Sequence, residues 1–246
     1  MGRADMAENS APLHANNLTD MTAAPRISVV IPTLNAEADL AAAIGSVRDG
    51  AAEIIVADGI STDGTRDVAL AVDARIVESD QGRGLQLRTG GAAATADWIL
   101  FLHADTRLSD GWEVEVAAFA ADPVNADRAG VFTFSLDDPS PQARRMERLV
   151  GWRTRRLGLP YGDQGLLISR ELYRRLGGFR AIPLMEDVEI VRRIGRKNIT
   201  VLKTRAVTSA IRYRRGGWWG RPVRNIFCLM LYFMGVPPRT LVRIYR

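Results

Sequence analysis

An unbroken apolar run, Trp98-Ile99-Leu100-Phe101-Leu102, stops abruptly at His103-Ala104-Asp105-Thr106. A continuous run of this length with polar ends reads as a strand buried on both faces, the kind found inside a parallel sheet. Ligands of open α/β sheets collect just beyond the carboxyl ends of such strands. A carboxylate at that place can hold a divalent cation, since hard cations take oxygen ligands. It can equally cap the segment that follows, and the run alone does not choose between the two.

The pattern around this run has the same grammar. Strands are expected at 27–32, 53–58 and 75–78, each an apolar run closed by Pro32, Gly59 or polar residues. Helices are expected at 36–47, with Asn35 as its cap, at 66–71 and at 85–94. The alternation β-α-β-α-β-α-β implies a parallel sheet with right-handed crossovers. The loop Gln81-Gly82-Arg83-Gly84 lacks the third glycine of a dinucleotide fingerprint and follows the third strand, which excludes a Rossmann dehydrogenase.

The second half is less regular. Asp110 is expected to cap a helix to Ala121, with Val114, Val116 and Phe119 facing the core. Strands are expected at 131–136, 166–168 and 199–202. Helices are expected at 143–157, after Ser169, and after the entry Pro183-Leu184-Met185-Glu186-Asp187, with Val188, Val191 and Ile194 on one face. Acids in a helix first turn are favoured by the helix dipole alone, so Glu186 and Asp187 need no further role on that ground. Positions 212–224 read as a basic loop, 226–234 as an apolar helix, and the remainder as a short basic tail.

The 246 residues, 47% of them hydrophobic, suffice for one sizeable α/β domain. Residues 1–25 read as a disordered leader, with Met21 as an alternative start. The domain runs over 26–225, in two halves at 26–106 and 107–225, and 226–246 forms the apolar helix and tail. No apolar stretch reaches the ~18 residues of a membrane span. The single cysteine, Cys228, excludes an internal disulfide framework and points to a reducing, cytoplasmic compartment. Acids outnumber bases between Arg26 and Pro139. Between Gln142 and Asn225 arginine dominates, so the second half is built to meet something anionic.

Four acids now stand at strand ends or helix starts: Asp58, Asp105, Asp163 and Asp187. Their order and flanks resemble the family 2 inverting glycosyltransferases of the GT-A fold. The matching pieces are Val-Val-Ile-Pro-Thr-Leu-Asn at 29–35, Val-Ala-Asp-Gly-x-Ser-x-Asp-Gly-Thr at 56–65, Leu-His-Ala-Asp-Thr at 102–106 and Met-Glu-Asp at 185–187. The resemblance covers nearly everything from Ile27 to the C-terminus. The loop at 159–165 and Gly-Val-Pro-Pro at 235–238 look most like the small bacterial subgroup of selenodomain-associated, or arsenosugar-biosynthesis-type, transferases.

The resemblance implies an α/β GT-A fold, a mostly parallel central sheet flanked by helices, and transfer of a sugar from a nucleotide donor, a UDP-sugar, to an acceptor hydroxyl. Pro32, Thr33, Asn35 and Glu37 would line the nucleotide pocket, and Asp58 would accept a hydrogen bond from the base. Arg83 would approach the nucleotide or its phosphates. Asp105 would be the last residue of the family's "DxD" metal motif and would hold Mn²⁺ or Mg²⁺ on the donor diphosphate. Its first acid is replaced here by His103, which would either ligate Mn²⁺, the softer of the two, or serve the nucleotide pocket without touching metal. Asp187 would be the general base and Glu186 would orient the acceptor or the base. Asp163 and Gln164 would meet the donor sugar or acceptor. Arg214, Arg215 and Trp218 occupy, loosely, the place of a late phosphate-binding motif.

The helix at 226–234, rimmed by arginines, fits either an interfacial helix on a membrane's inner face or a core or homodimer helix. The acceptor would be a small molecule or a lipid, and no nucleic-acid partner is expected. Two other readings compete. A sugar nucleotidyltransferase would carry a glycine-rich basic loop after its first strand, and Pro32-Thr33-Leu34-Asn35 is not one. A non-catalytic module binding anionic surfaces would keep its function in Asp187→Asn.

Overall fold

Ile27–Thr33 forms β1, with every residue but Pro32 buried. Its side chains alternate between two cores. Val29 and Ile31 pack with Leu40 and Ile44 on one face of the sheet, and Val30 packs with Ile55, Leu87 and Ile99 on the other. That two-sided burial is why the run is apolar throughout. The computed structural model describes residues 25–218 and 220–245, and only the backbone of Arg212, Arg215 and Arg221. The expected leader up to residue 24 and Trp219 lie outside the described residues.

β2 (Glu53–Asp58), β3 (Arg75–Glu78) and β4 (Trp98–Phe101) join β1 in parallel, in the order β3-β2-β1-β4. Between them run α1 (Glu37–Gly45), α2 (Thr65–Ala71) and α3 (Arg83–Ala93). α3 lies close on β1 because Gly90 has no side chain: a Cβ there would overlap Val30 Cγ1 and touch Ala57 Cβ.

Beyond β4 the sheet changes sense. β7 (Leu166–Ser169) pairs antiparallel with β4, and β6 (Ala129–Leu136) pairs antiparallel with β7. β8 (Ile199–Thr208) runs parallel to β6, and β5 (Thr106–Leu108) closes the edge antiparallel to β8. The sheet is thus the mostly parallel, helix-flanked sheet expected, extended by a mixed half. The register Phe101↔Leu166 carries the loop before β7 to the same sheet edge as His103. Thr106 pairs with Thr208, which brings the end of β8 there too.

α4 (Trp112–Ala121), α5 (Pro141–Leu157), α6 (Arg170–Arg175) and α7 (Glu186–Ile194) follow the expected plan. Ser169 caps α6 as anticipated, its Oγ accepting from Leu172 N–H at 3.1 Å. Other expectations need correction. Asn35 does not cap α1; Ala36 holds that place without a side-chain bond, and Asn35 adopts φ +52°. Asp110 does not cap α4, because Gly111 in the left-handed region takes the turn. Val114 is 75% exposed, two residues out of phase with buried Val116. β8 extends six residues past Leu202 since β6 and β5 pair both its edges.

The largest correction is C-terminal. The expected basic loop and tail are α8 (Ile211–Gly216), α9 (Gly220–Phe233) and α10 (Pro238–Tyr245). Cys228, Leu229 and Leu241 bury against Met185 and Val188, so tertiary packing makes helix where the text shows arginines and glycines. The break drawn at 225/226 falls inside α9.

Candidate active site

The loops after β1 and β2 are tied into one latch. Asp58 is fully buried at the end of β2. Its carboxylate accepts from Thr33 Oγ1 at 2.9 Å, from Ser61 N–H at 3.0 Å and from Ser61 Oγ at 2.5 Å. Ser61 Oγ in turn accepts from Asn35 N–H at 3.0 Å, and Asn35 Oδ1 accepts from Thr62 N–H at 2.9 Å. Glu37 accepts from Gly64 N–H at 3.1 Å. Thr33 and Asp58 therefore sit at the expected sheet edge with their side chains turned into the latch, and exposed Glu37, at the start of α1, is tied to it through Gly64. None of the three lines the cavity, whereas Pro32 and Asn35 do.

Asn35 at φ +52° and Ile60 at φ +64° hold that latch in left-handed backbone. For a β-branched residue this conformation is strained. Ile60 is also 58% exposed and has little packing to lose. Ile60→Gly is expected to raise the unfolding free energy by about 1 kcal/mol. Urea titration of the two proteins checks it, and an unchanged or lower midpoint would show that Ile60 carries no strain.

Two adjoining hollows open at the carboxyl edge of the sheet. They share a wall made by Arg83, His103, Asp105, Leu184, Glu186 and Tyr245. One hollow continues to Pro32, Asn35 and Gly82. The other continues to Tyr161, Asp163, Asp187, Thr208 and Asn225. Asp105 and Asp187 thus meet in one cavity, though they lie on opposite halves of the chain.

Asp187 is held from two sides. Its Oδ2 accepts from Gly162 N–H at 3.0 Å and its Oδ1 from Val188 N–H at 2.7 Å. The absence of a side chain at 162 is required, because a Cβ there would overlap the His103 imidazole. The residue before Glu186, Met185, takes φ +66°, a costly conformation placed where the chain turns into the cavity.

Glu186 is 2% exposed, with its Oε1 3.5 Å from Arg83 Nη1. Burial pushes its carboxyl up to about 7; the Arg83 charge opposes this and the Asp187 charge adds to it. Arg83 itself is half exposed, so its charge is shared with water. Asp163 lines the same hollow, and burial pushes it up to about 6, with Arg153 opposing and the charges of Asp187 and Asp105 adding. Its Oδ1 is buried with no hydrogen-bond partner among the described residues. Such an orphaned carboxylate oxygen is costly unless something binds it.

Gln164 is placed differently from expectation. It is 1% exposed, its Oε1 accepting from Thr154 Oγ1 at 2.7 Å and its Nε2 donating to Phe132 O at 3.0 Å. It staples α5 to β6 and does not face the shared cavity. Arg214 reaches Asp138, with Nε 3.7 Å from Oδ2, and Trp218 stacks on Tyr213 at 5.9 Å between centroids. Neither lines the cavity; the side chain of Arg215 lies outside the described residues.

Sequence reasoning missed Tyr161, Tyr213, Asn225 and Tyr245, which the structure places on the wall. Tyr161 had a signal in the loop at 159–165, and Arg153 now covers its ring at 3.5 Å from the centroid. Tyr213 and Tyr245 come from helices that the text does not announce, and Asn225 from the turn of α9 just before its expected start at 226.

Among the described residues no group of three or more His, Cys, Asp or Glu is placed to hold a metal ion by itself. Asp105, Asp163 and His103 line one hollow without forming such a group, which leaves two carboxylates as the oxygen donors there. That incomplete oxygen set, with one orphaned buried oxygen, fits a cation that completes its sphere with phosphate oxygens.

A parallel α/β half, a mixed-sheet half, and acids gathered with an arginine at their common edge define a protein of the nucleotide-diphospho-sugar transferase type of fold. Residues 28–180 match the profile of Glycosyl transferase family 2, and the chain belongs to that family. A PGL/p-HBAD biosynthesis glycosyltransferase of Mycobacterium bovis is 36% identical over 116 residues, 43% of this chain and 45% of that protein. Glucosyl-3-phosphoglycerate synthase of Mycobacterium tuberculosis is 38% identical over 92 residues, 32% of this chain and 28% of that one. The matched stretches span less than half the length of these relatives. The crystal structure of that synthase with Mn²⁺ and UDP-glucose superimposes with a TM-score of 0.61 at 22% identity, over 88% of this chain and 82% of that one. Its complex with Mg²⁺ and UDP gives 0.62 at 22% identity, with the same coverage. Both likenesses speak for the fold.

Proposed function

We propose that this chain is an inverting glycosyltransferase that moves a sugar from a nucleoside-diphosphate donor, a UDP-sugar, to an acceptor hydroxyl. The observation that carries the reading is the meeting of Asp105, Arg83 and Asp187 on one cavity at the carboxyl edge of the sheet. The nucleotide takes the hollow bounded by Pro32, Asn35 and Gly82. The sugar and acceptor take the hollow bounded by Tyr161, Asp163 and Asp187.

Inversion needs a carboxylate that removes the acceptor proton as the oxygen attacks the anomeric carbon. Asp187 has the placement for it, its two oxygens fixed by Gly162 and Val188 while its face lines the hollow. Glu186 and Arg83 form the pair behind it. Arg83 stabilises charge gathering on the departing diphosphate, the usual electrostatic strategy. Asp105, with Asp163 and His103 beside it, would hold a divalent cation that supplies further positive charge to the same phosphates. Two supports are indirect: the family itself, and the UDP-glucose and Mn²⁺ held by the neighbouring synthase structure. The finer kinship with the selenodomain-associated subgroup rests on the loop at 159–165 and on Gly-Val-Pro-Pro at 235–238.

A thermal-shift panel of nucleoside diphosphates and nucleotide sugars, with and without Mn²⁺, tests the reading. A true donor at a hundred times its dissociation constant stabilises the fold by about 2.7 kcal/mol. UDP and one UDP-sugar are expected to raise Tm, more strongly with Mn²⁺. The absence of any shift with every nucleoside diphosphate would remove the donor and the reading with it.

A further inference from the structure

The transferase reading leaves one large feature unused, on α9. Val223, Ile226, Phe227, Met230, Phe233 and Met234 are exposed by between 46% and 77%. Spacings of three and four residues put them on one side of the helix. The other side is already occupied, with Cys228 and Leu229 buried against Val188 and Leu241. α9 is therefore anchored by one apolar face and holds a second one in water. Single exposed apolar residues are ordinary, but five on one helix face, with Met234 directly after its end, form a patch of the kind that marks an interaction surface.

Charge says what covers it. Positions 190–246 contain 14 lysines and arginines and not one aspartate or glutamate. Arg239 and Arg243 stand exposed on α10, and Arg192 lies over the Phe233 ring at 5.1 Å. We propose that α9 and α10 dock on an anionic lipid bilayer, with α9 lying in the plane of the interface and its outward face in the acyl boundary. Its 14 residues make a rod of about 21 Å, short of the roughly 30 Å hydrocarbon core, so it lies on the membrane rather than across it. A second copy of the chain is the poorer occupant. A two-fold contact sets the same patch against itself, which would bring Arg192, Arg239 and Arg243 of two copies together. An anionic surface neutralises those arginines and takes up the apolar face in one step.

The docking does not depend on the transferase reading, although the two meet. Asn225 and Tyr245 extend from these same helices to the cavity wall, so docking holds the cavity beside the lipid surface. The test is co-sedimentation of the full chain with vesicles of phosphatidylcholine alone or mixed with phosphatidylglycerol. Binding is expected on the mixed vesicles, about tenfold or more weaker on the neutral ones. The double variant Phe227→Ser, Met230→Ser, at exposed positions, is expected to keep its Tm and lose about tenfold or more of the binding. No binding to either vesicle overturns the proposal. So does binding that ignores the double substitution, which would be charge adhesion alone. A lipid-free dimer that the double variant dissociates, read by light scattering, would assign the patch to a second copy instead.

Discussion

Asp187→Asn is expected to lower turnover by about 10²–10⁴-fold while leaving the affinity for the nucleotide-sugar donor unchanged. The fold should survive. An amide oxygen still accepts one of the two backbone N–H groups that now hold the carboxylate, from Gly162 or from Val188. Losing the other bond costs about 1 kcal/mol, within the reach of a stable domain. What the amide cannot do is take the acceptor proton. The measurement pairs a turnover assay with donor titration by calorimetry. Asp163→Asn is the informative companion, since Asp163 lines the same hollow and is held towards its protonated form by burial. Asp187 is distinguished from it by its geometry, with both carboxylate oxygens held by backbone N–H groups at the cavity. If Asp163→Asn abolishes turnover and Asp187→Asn does not, the base is assigned to the wrong acid.

How much of this was legible follows from what kind of signal each part leaves. β1 to β4 were readable because strands buried on both faces must be apolar end to end and must stop at a turn, as Ile27–Thr33 and Trp98–Phe101 do. β5 has three residues, one of them an exposed arginine, and exists only because β8 offers it an edge. The apolar part of α9 was legible at 226–234, whereas its first turns, α8 and α10 were hidden for a related reason. α8 packs Tyr213 on the cluster of Phe134 and Leu136, and α9 and α10 pack on Met185 and Val188, contacts distant in the chain. At the site, chain position was legible and side-chain direction was not. Asp58 and Thr33 do end β2 and β1 at the correct edge, but they turn towards each other and Ser61. Gln164 follows Asp163 directly, yet points into the junction of α5 and β6. Asp105 and Asp187 line one hollow, without Asp58, because one follows a parallel strand and the other opens a helix above the same edge. Tyr245 left no local mark, because its role comes entirely from where α10 packs.

Glu186 sets the second large effect, on stability rather than rate. In the protein without nucleotide or cation, the unfolding free energy is expected to fall as pH rises from about 4.5 to about 7. The folded state holds the Glu186 proton more tightly than the unfolded chain does. The stability this brings is full below the unfolded value of 4.5 and is lost as pH climbs through the folded value. The loss is on the order of 3 kcal/mol if burial of this carboxyl is as complete as its 2% exposure implies. Asp163 adds a second loss in the same direction, between 3.8 and about 6. Glu186→Gln carries no titrating proton, so urea unfolding should show it level with the wild type near pH 4.5 and the more stable of the two near pH 8. A gap that does not change with pH would mean that Glu186 is not a buried carboxyl. The same group links stability to binding. Arg83 is the cation that keeps Glu186 from rising further, and a diphosphate arriving beside Arg83 competes for that guanidinium. Donor binding near pH 7 is therefore expected to take up protons in the wild type and fewer in Glu186→Gln. Calorimetry in two buffers of different ionisation enthalpy reads that difference directly, and equal proton uptake in both proteins would separate Arg83 from the donor phosphates.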